Sequence, residues 1–306
     1  MDIGNEKFIA VASSEGVTVY CPREGRFSFF NSPYPAHKAH AAIDIYPNRN
    51  YGSIAPSPVY GEVKEIRKVA CPEKSNFKSS DYDYVILIQS QENPKRWIKI
   101  LHLEPHVRVS DTINVGDELG ILLRSGFFDY WTDPHIHVEI RDPHDPIRAR
   151  GGFKLERLFL NLNKENGMME ELRGIIIRLQ TEYALMLLDE DLRFGVPVKV
   201  CGRMGLIDGG IPHYGFFGVH VNHENKVQPG SLVELCNIKI GIIEQVYPDA
   251  YIARCLKNIF RVKNEPVKIS FYLYSSKPLV KIILNKPDKP KLEEFEEVSV
   301  TILGQQ

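Results

Sequence analysis

In the first half of the chain the apolar positions come in short blocks rather than at the three-to-four spacing of an amphipathic helix. The runs at 17–20, 26–30, 58–69, 84–89, 97–103 and 135–140 are rich in β-branched and aromatic residues and are bounded by Gly, Pro, Asn or Asp, which is the pattern of strands separated by turns. Many short strands of this kind predict an all-β sandwich or barrel. The run 155–162 reads as a short helix and the polar stretch 163–171 as a linker. From residue 174 strand-like blocks return at 175–179, 183–188, 196–201, 232–236, 238–246, 267–274 and 280–284. The pattern therefore predicts an all-β chain of two parts: an N-terminal domain over 1–152, a linker over 153–171, and a second, mainly β domain over 172–306. Its Pro-, Lys- and Glu-rich segment 286–297 is expected to be an exposed connector before a last strand at 298–303.

Composition agrees with two cores: 306 residues, 43% hydrophobic and 25% charged, suffice for two domains of about 100–200 residues each. The 38 Lys+Arg against 39 Asp+Glu supply no surplus positive charge to hold nucleic acid or an anionic membrane. No apolar run approaches the roughly 20 residues of a membrane-spanning helix. The five-residue apolar stretch at 8–12, preceded by Asp2, Glu6 and Lys7, lacks the length and basic flank of an export signal, so a cytoplasmic location is expected. Five cysteines without a C-x-x-C pair fit small buried hydrophobes in a reducing compartment. The informative count is histidine, because seven of the ten fall between residues 37 and 144.

Three groups of those histidines carry chemistry. In His135-Ile136-His137-Val138-Glu139-Ile140, strand alternation puts His135, His137 and Glu139 on one face and the aliphatic residues on the other. The two imidazoles then stand side by side, their Cα atoms about 7 Å apart. In His40-Ala41-Ala42-Ile43-Asp44 the end residues would lie about 13 Å apart in a straight strand, too far to share a metal. Co-ligation requires the backbone to turn between them. The third group is His102, set among aliphatics in Ile100-Leu101-His102-Leu103.

In this order, and with Pro58 to Val63 and the turn Val115-Gly116-Asp117-Glu118-Leu119-Gly120 between them, the groups resemble the motifs of the lysostaphin-type, or LytM-like, zinc endopeptidases. The resemblance covers about residues 31–145. It implies a sandwich- or barrel-type peptidase domain with Zn2+ held by His40, Asp44 and His137, and with His102 and His135 catalytic. Three protein ligands leave a fourth position for water, whose pKa zinc lowers to about 7. His135 is then the expected base, with His102 stabilising the oxyanion or protonating the leaving amine. The implied partner is a peptide substrate, with glycine-containing or cell-wall peptide as the family's default. Glu139 reads equally as an orienting residue and as a solvated strand position.

Two departures stand out. Ala42 occupies a position that is usually Gly in the family, and the segment before His135 carries Phe127, Phe128, Tyr130 and Trp131 instead of glycines. The alternative reading is a non-catalytic metal-binding or regulatory domain of the same fold. A histidine phosphocarrier, as in the glucose-permease domain of bacterial sugar transport, is a weaker one because it leaves Asp44 without a role. In the second domain, the glycine- and aromatic-rich stretch 203–223 holds His213, His220 and His223; Gly209-Gly210 and Gly215 suggest tight loops, and the domain reads as a β-domain that presents substrate or covers the cleft. Oligomeric state is not encoded in any of these patterns.

Overall fold

The computed structural model describes residues 7–158, 169–222, 227–285 and 290–304. It is all-β apart from one four-residue helix, and it divides into two compact units: Met1–Phe29 with Tyr34–Phe159, and Phe30–Pro33 with Leu160–Gln306.

The first unit contains, in chain order, β1 (Phe8–Ser14), β2 (Val17–Pro22), β3 (Arg26–Ser28), α1 (Pro35–Lys38), β4 (Ile43–Tyr46), β5 (Ile54–Pro56), β6 (Gly61–Ala70), β7 (Tyr82–Ser90), β8 (Trp97–Leu101), β9 (Leu103–Pro105), β10 (Thr112–Ile113), β11 (Glu118–Leu122), β12 (Ile136–Arg141) and β13 (Glu156–Arg157). Its main sheet runs β10-β6-β7-β8-β12-β4-β3, flanked by the smaller sheets β5-β11-β9 and β13-β1-β2. The pairings of the main sheet are antiparallel.

Register explains how this sheet divides its labour. Ile43, Val138, Ile100 and Ile86 form one cross-strand row over β4, β12, β8 and β7, and all four are fully buried. One residue on, the row carries Asp44 opposite His137 and His137 opposite Leu101, followed by Glu139 opposite Lys99. A period of two thus sends aliphatic side chains to one face and ionisable ones to the other. Every residue of β12 is buried, so both faces are covered. The polar face must then satisfy its own charges internally.

At the turn into β11, Gly120 has φ +157 and a Cβ there would lie 2.0 Å from the Glu104 carbonyl oxygen of β9. The last glycine of the 115–120 turn is therefore required by sheet packing. One expectation for this unit is corrected. The run 155–162 is no helix where it is described, since Glu156–Arg157 pairs with β1 as a strand, and residues 159–162 lie outside the described residues. The only helix among the described residues is α1, opened by Pro35 at its first position.

The described residues of the second unit form strands joined by turns and loops, without a helix, and the strand pairings close into two rings. One consists of Val196–Val200, Leu232–Leu235, Ile238–Val246, Ala250–Cys255, Phe216–His220 and Arg203–Ile211. The other consists of Glu265–Phe271, Ile259–Val262, Glu297–Leu303, Leu172–Leu179, Tyr183–Leu188 and Leu279–Leu284. The long strand Arg203–Ile211 serves the first ring and then pairs, through Gly209 to Ile211, with the second. Closed rings leave no exposed edge, which removes the usual route to strand-mediated aggregation. A single apolar cluster fills both rings, with Val198, Ile207, Val219 and Ala253 from one and Ile176, Ala184, Ile269 and Ile282 from the other. Gly209 and Gly210, expected to form a tight loop, lie within the strand Arg203–Ile211. Its glycines allow close approach, and a Cβ at nearby Gly218 would fall 1.9 Å from the Phe30 ring.

The cross-strand aliphatic row yields a stability prediction. Ile100→Ala should cost about 2–5 kcal/mol by leaving a cavity between β7 and β12. Urea denaturation would measure it, and a loss below 1 kcal/mol would contradict the described packing.

Candidate metal centre

Three elements of the first unit bring the site together. Pro35 starts the single turn of α1, and the His37 N–H donates to the Tyr34 carbonyl at 3.0 Å. The chain then reverses at His40, whose φ of 56° is left-handed, and enters β4, where Asp44 faces His137 of β12. This is the turn that the His–Asp spacing demanded. The positive φ falls on His40 and not on Ala42, so alanine at 42 needs no conformation that only glycine favours.

His37, Asp44 and His137 place one donor atom each within 4.8 Å of one another. The separations are 2.9 Å for His137 Nδ1 to Asp44 Oδ1, 3.2 Å for His37 Nε2 to Asp44 Oδ1 and 3.2 Å for His37 Nε2 to His137 Nδ1. All three residues are 0–2% exposed.

Tautomers follow from the outer partners of each ring. His37 Nδ1–H donates to the Phe29 carbonyl at 2.7 Å, and His137 Nε2–H donates to Glu139 Oε1 at 3.1 Å. The remaining nitrogens, His37 Nε2 and His137 Nδ1, present lone pairs to each other and to the Asp44 carboxylate. Three acceptors at such separations repel unless a cation stands among them. That cation is either a proton or a metal ion.

The titration behaviour expresses the same demand. Burial pushes the Asp44 carboxyl up, but the charges of His37 and His135 and hydrogen bonds from His137 and His37 hold it well below the usual range. Burial lowers His137, yet its bonds to Asp44 and Glu139 outweigh this and push it up to about 8. Glu139 is raised by burial and pulled down to about 2 by His137 and Lys99.

The other residues implied by the resemblance lie around this group. His40 packs its ring edge-on against Phe29 at 5.4 Å, and the three-residue donor group contains His37 in its stead. His135 Nδ1–H donates to the Asp133 carbonyl at 2.9 Å, and its Nε2 stands 3.8 Å from Asp44 Oδ1. Burial chiefly lowers its pKa to about 4, so the ring is neutral near pH 7. His102, at φ 72°, is gripped twice by Asp83: its backbone N–H donates to Oδ1 at 3.0 Å and its Nδ1–H to Oδ2 at 2.6 Å. The His102 and His135 rings are 5.0 Å apart. Phe128 covers both, with centroids at 4.5 and 4.9 Å.

His37, Asp83, Lys99 and Arg141 carry parts of the arrangement that the sequence did not single out as functional. The available signal for His37 was Pro35 two residues earlier, which opens a helical turn. Lys99 and Arg141 were readable only as ionisable residues in step with Glu139 on paired strands. In the second unit, His213 packs on Tyr214 while His220 pairs with Asp208 at 3.0 Å. His223 lies outside the described residues.

A family model described as "Domain of unknown function (DUF8155) N-terminal domain" matches residues 17–157, slightly under half of the chain. No curated protein matches the chain. These findings, with a fold holding a single four-residue helix among its described residues, overturn the resemblance to lysostaphin-type endopeptidases and with it the metallopeptidase assignment. The physical reason for the false lead is that the five motifs are short turn and strand signals. A V-x-x-G-D turn or an H-x-H strand serves any antiparallel sheet that buries a polar face. What the chain is similar to, over its first unit, is a domain family without an assigned activity.

Proposed function

We propose that the first unit is a metal-binding module, holding one divalent transition-metal ion between His37 Nε2, Asp44 Oδ1 and His137 Nδ1 in a non-catalytic, structural or regulatory role. The observation that carries this reading is the convergence of three buried acceptors at 2.9–3.2 Å. Bonds of about 2.0–2.2 Å in a tetrahedral arrangement place ligand atoms about 3.3–3.6 Å apart, so the group needs only a few tenths of an ångström of expansion to close on an ion. Two imidazoles and a carboxylate, with no sulfur, suit zinc and its neighbours. Zn2+ is the ion proposed. Burial favours the non-catalytic role, because a substrate has no direct approach to donors that are 0–2% exposed.

A second reading, metal-assisted hydrolysis of an unspecified bond, has one observation in its favour. A non-glycine residue held at φ 72° stores backbone strain of the kind that clusters at active sites, and Asp83 orients His102 with its Nε2 directed away from the carboxylate. In that reading His135 and His102 would handle the protons of a metal-bound water.

The purified protein should hold about one equivalent of zinc by elemental analysis. His37→Ala, Asp44→Ala and His137→Ala should each abolish it, and His40→Ala should retain it. Loss of zinc in His40→Ala with retention in His37→Ala would replace the proposed ligand set.

Metal and proton compete for His137 Nδ1. With a pKa near 8, zinc binding below pH 8 displaces one proton, so affinity should rise about tenfold per pH unit up to about 8 and then level off. The sign for the metal-free fold is the reverse. A histidine raised above its ordinary 6.5 stabilises fully below that value, and the contribution is lost as pH climbs through 8. Titration calorimetry from pH 6 to 9 checks the first trend and thermal melts of the stripped protein the second. A flat affinity profile would remove His137 from the ligand set.

Turnover separates the two readings. If hydrolysis of ester and amide panels is seen with the zinc form and vanishes in His135→Ala with zinc retained, the second reading replaces the first.

A further inference from the structure

Behind His137, on the side away from Asp44, lies a closed electrostatic cluster. Glu139 Oε1 accepts from His137 Nε2–H at 3.1 Å and from Lys99 Nζ at 2.8 Å. Its Oε2 accepts from Arg141 Nη1 at 2.9 Å. Lys99 and Arg141 are anchored in turn by backbone carbonyls: Lys99 donates to Arg148 at 3.4 Å, and Arg141 donates to Asp145 at 2.7 and 3.0 Å and to Arg150 at 2.9 Å. Lys99 also donates to the Tyr34 hydroxyl at 3.0 Å, and the Tyr34 ring meets His137 edge-on at 5.4 Å. Lys99, Glu139 and Arg141 are all within 1% of full burial.

A lysine, an arginine and a glutamate inside a sheet lose their hydration on burial, a cost that an apolar trio filling the same space would avoid. What an apolar trio would not do is take the Nε2 proton of His137. Resting on the metal-binding reading, we propose that Glu139 is a positioning residue for the metal: it holds the proton on Nε2 so that Nδ1 faces His37 and Asp44. Lys99 and Arg141 hold Glu139 in place through their hydrogen bonds to its two oxygens. An outer carboxylate of this kind typically changes metal affinity 10–100-fold.

The experiment uses the full chain, with zinc affinity measured by competition against a chelator for the wild type, Glu139→Gln, and the double variant Glu139→Gln with Lys99→Met. The double variant preserves the net charge of the buried cluster, and so remains informative where the single variant fails to fold. Long-range proton–nitrogen NMR of the zinc-free proteins, at alkaline pH where the ring is neutral, reads the His137 tautomer, which a purely structural role for Glu139 would leave unchanged. The expected result is a 10–100-fold loss of affinity in either folded variant, with the His137 ring no longer held as Nε2–H. Wild-type affinity and an unchanged tautomer in the variants would overturn the positioning role while leaving the metal site in place. A wild-type protein that binds no zinc would overturn the metal reading and the role together.

Discussion

A carboxylate buried in the middle of a sheet demands a cation, and Asp44 imposes that demand on everything around it. Antiparallel pairing of β4 with β12 sets it directly opposite His137, while the turn of α1 delivers His37 from the other side. Once both rings have given their outer N–H groups to Phe29 and Glu139, the space between them is lined by lone pairs alone. The first unit is therefore organised around a buried carboxylate that requires a positive charge beside it.

The same logic extends outward in layers. Glu139 would itself be intolerable in the interior without Lys99 and Arg141, and those cations would be intolerable without the carbonyls of the segment after β12. Removing one member of such a chain leaves a buried charge uncompensated, commonly at a cost of about 3–5 kcal/mol. The aliphatic row on the opposite face of the sheet supplies the rigidity that keeps these partners in register.

Two histidines that could have joined the donor group stand beside it. His135 and His102 are each tethered by one nitrogen, to Asp133 and Asp83, and both lie beneath the Phe128 ring. The aromatic segment that departs from glycine before β12 thus has a physical role: it shields imidazoles from water. A shielded, tightly packed site is suited to retaining an ion, and this is why burial, rather than the identity of the side chains, separates the two functional readings.

The sequence by itself determined the all-β class and the division of β12 into an aliphatic and an ionisable face, because strand alternation is local and shows in the order of residues. It also showed that the stretch from His40 to Asp44 must bend for its ends to meet. Only the tertiary structure brought His37 to Asp44, since that contact depends on the turn of α1 and on a carbonyl of Phe29 eight residues before His37. Lys99 and Arg141 became part of the site through strand register and burial, which no single-strand pattern contains. The long strand Arg203–Ile211 was hidden for a related reason. Its glycines look like turn signals in isolation, and they become strand residues only when two closed rings pack so tightly that a side chain has no room.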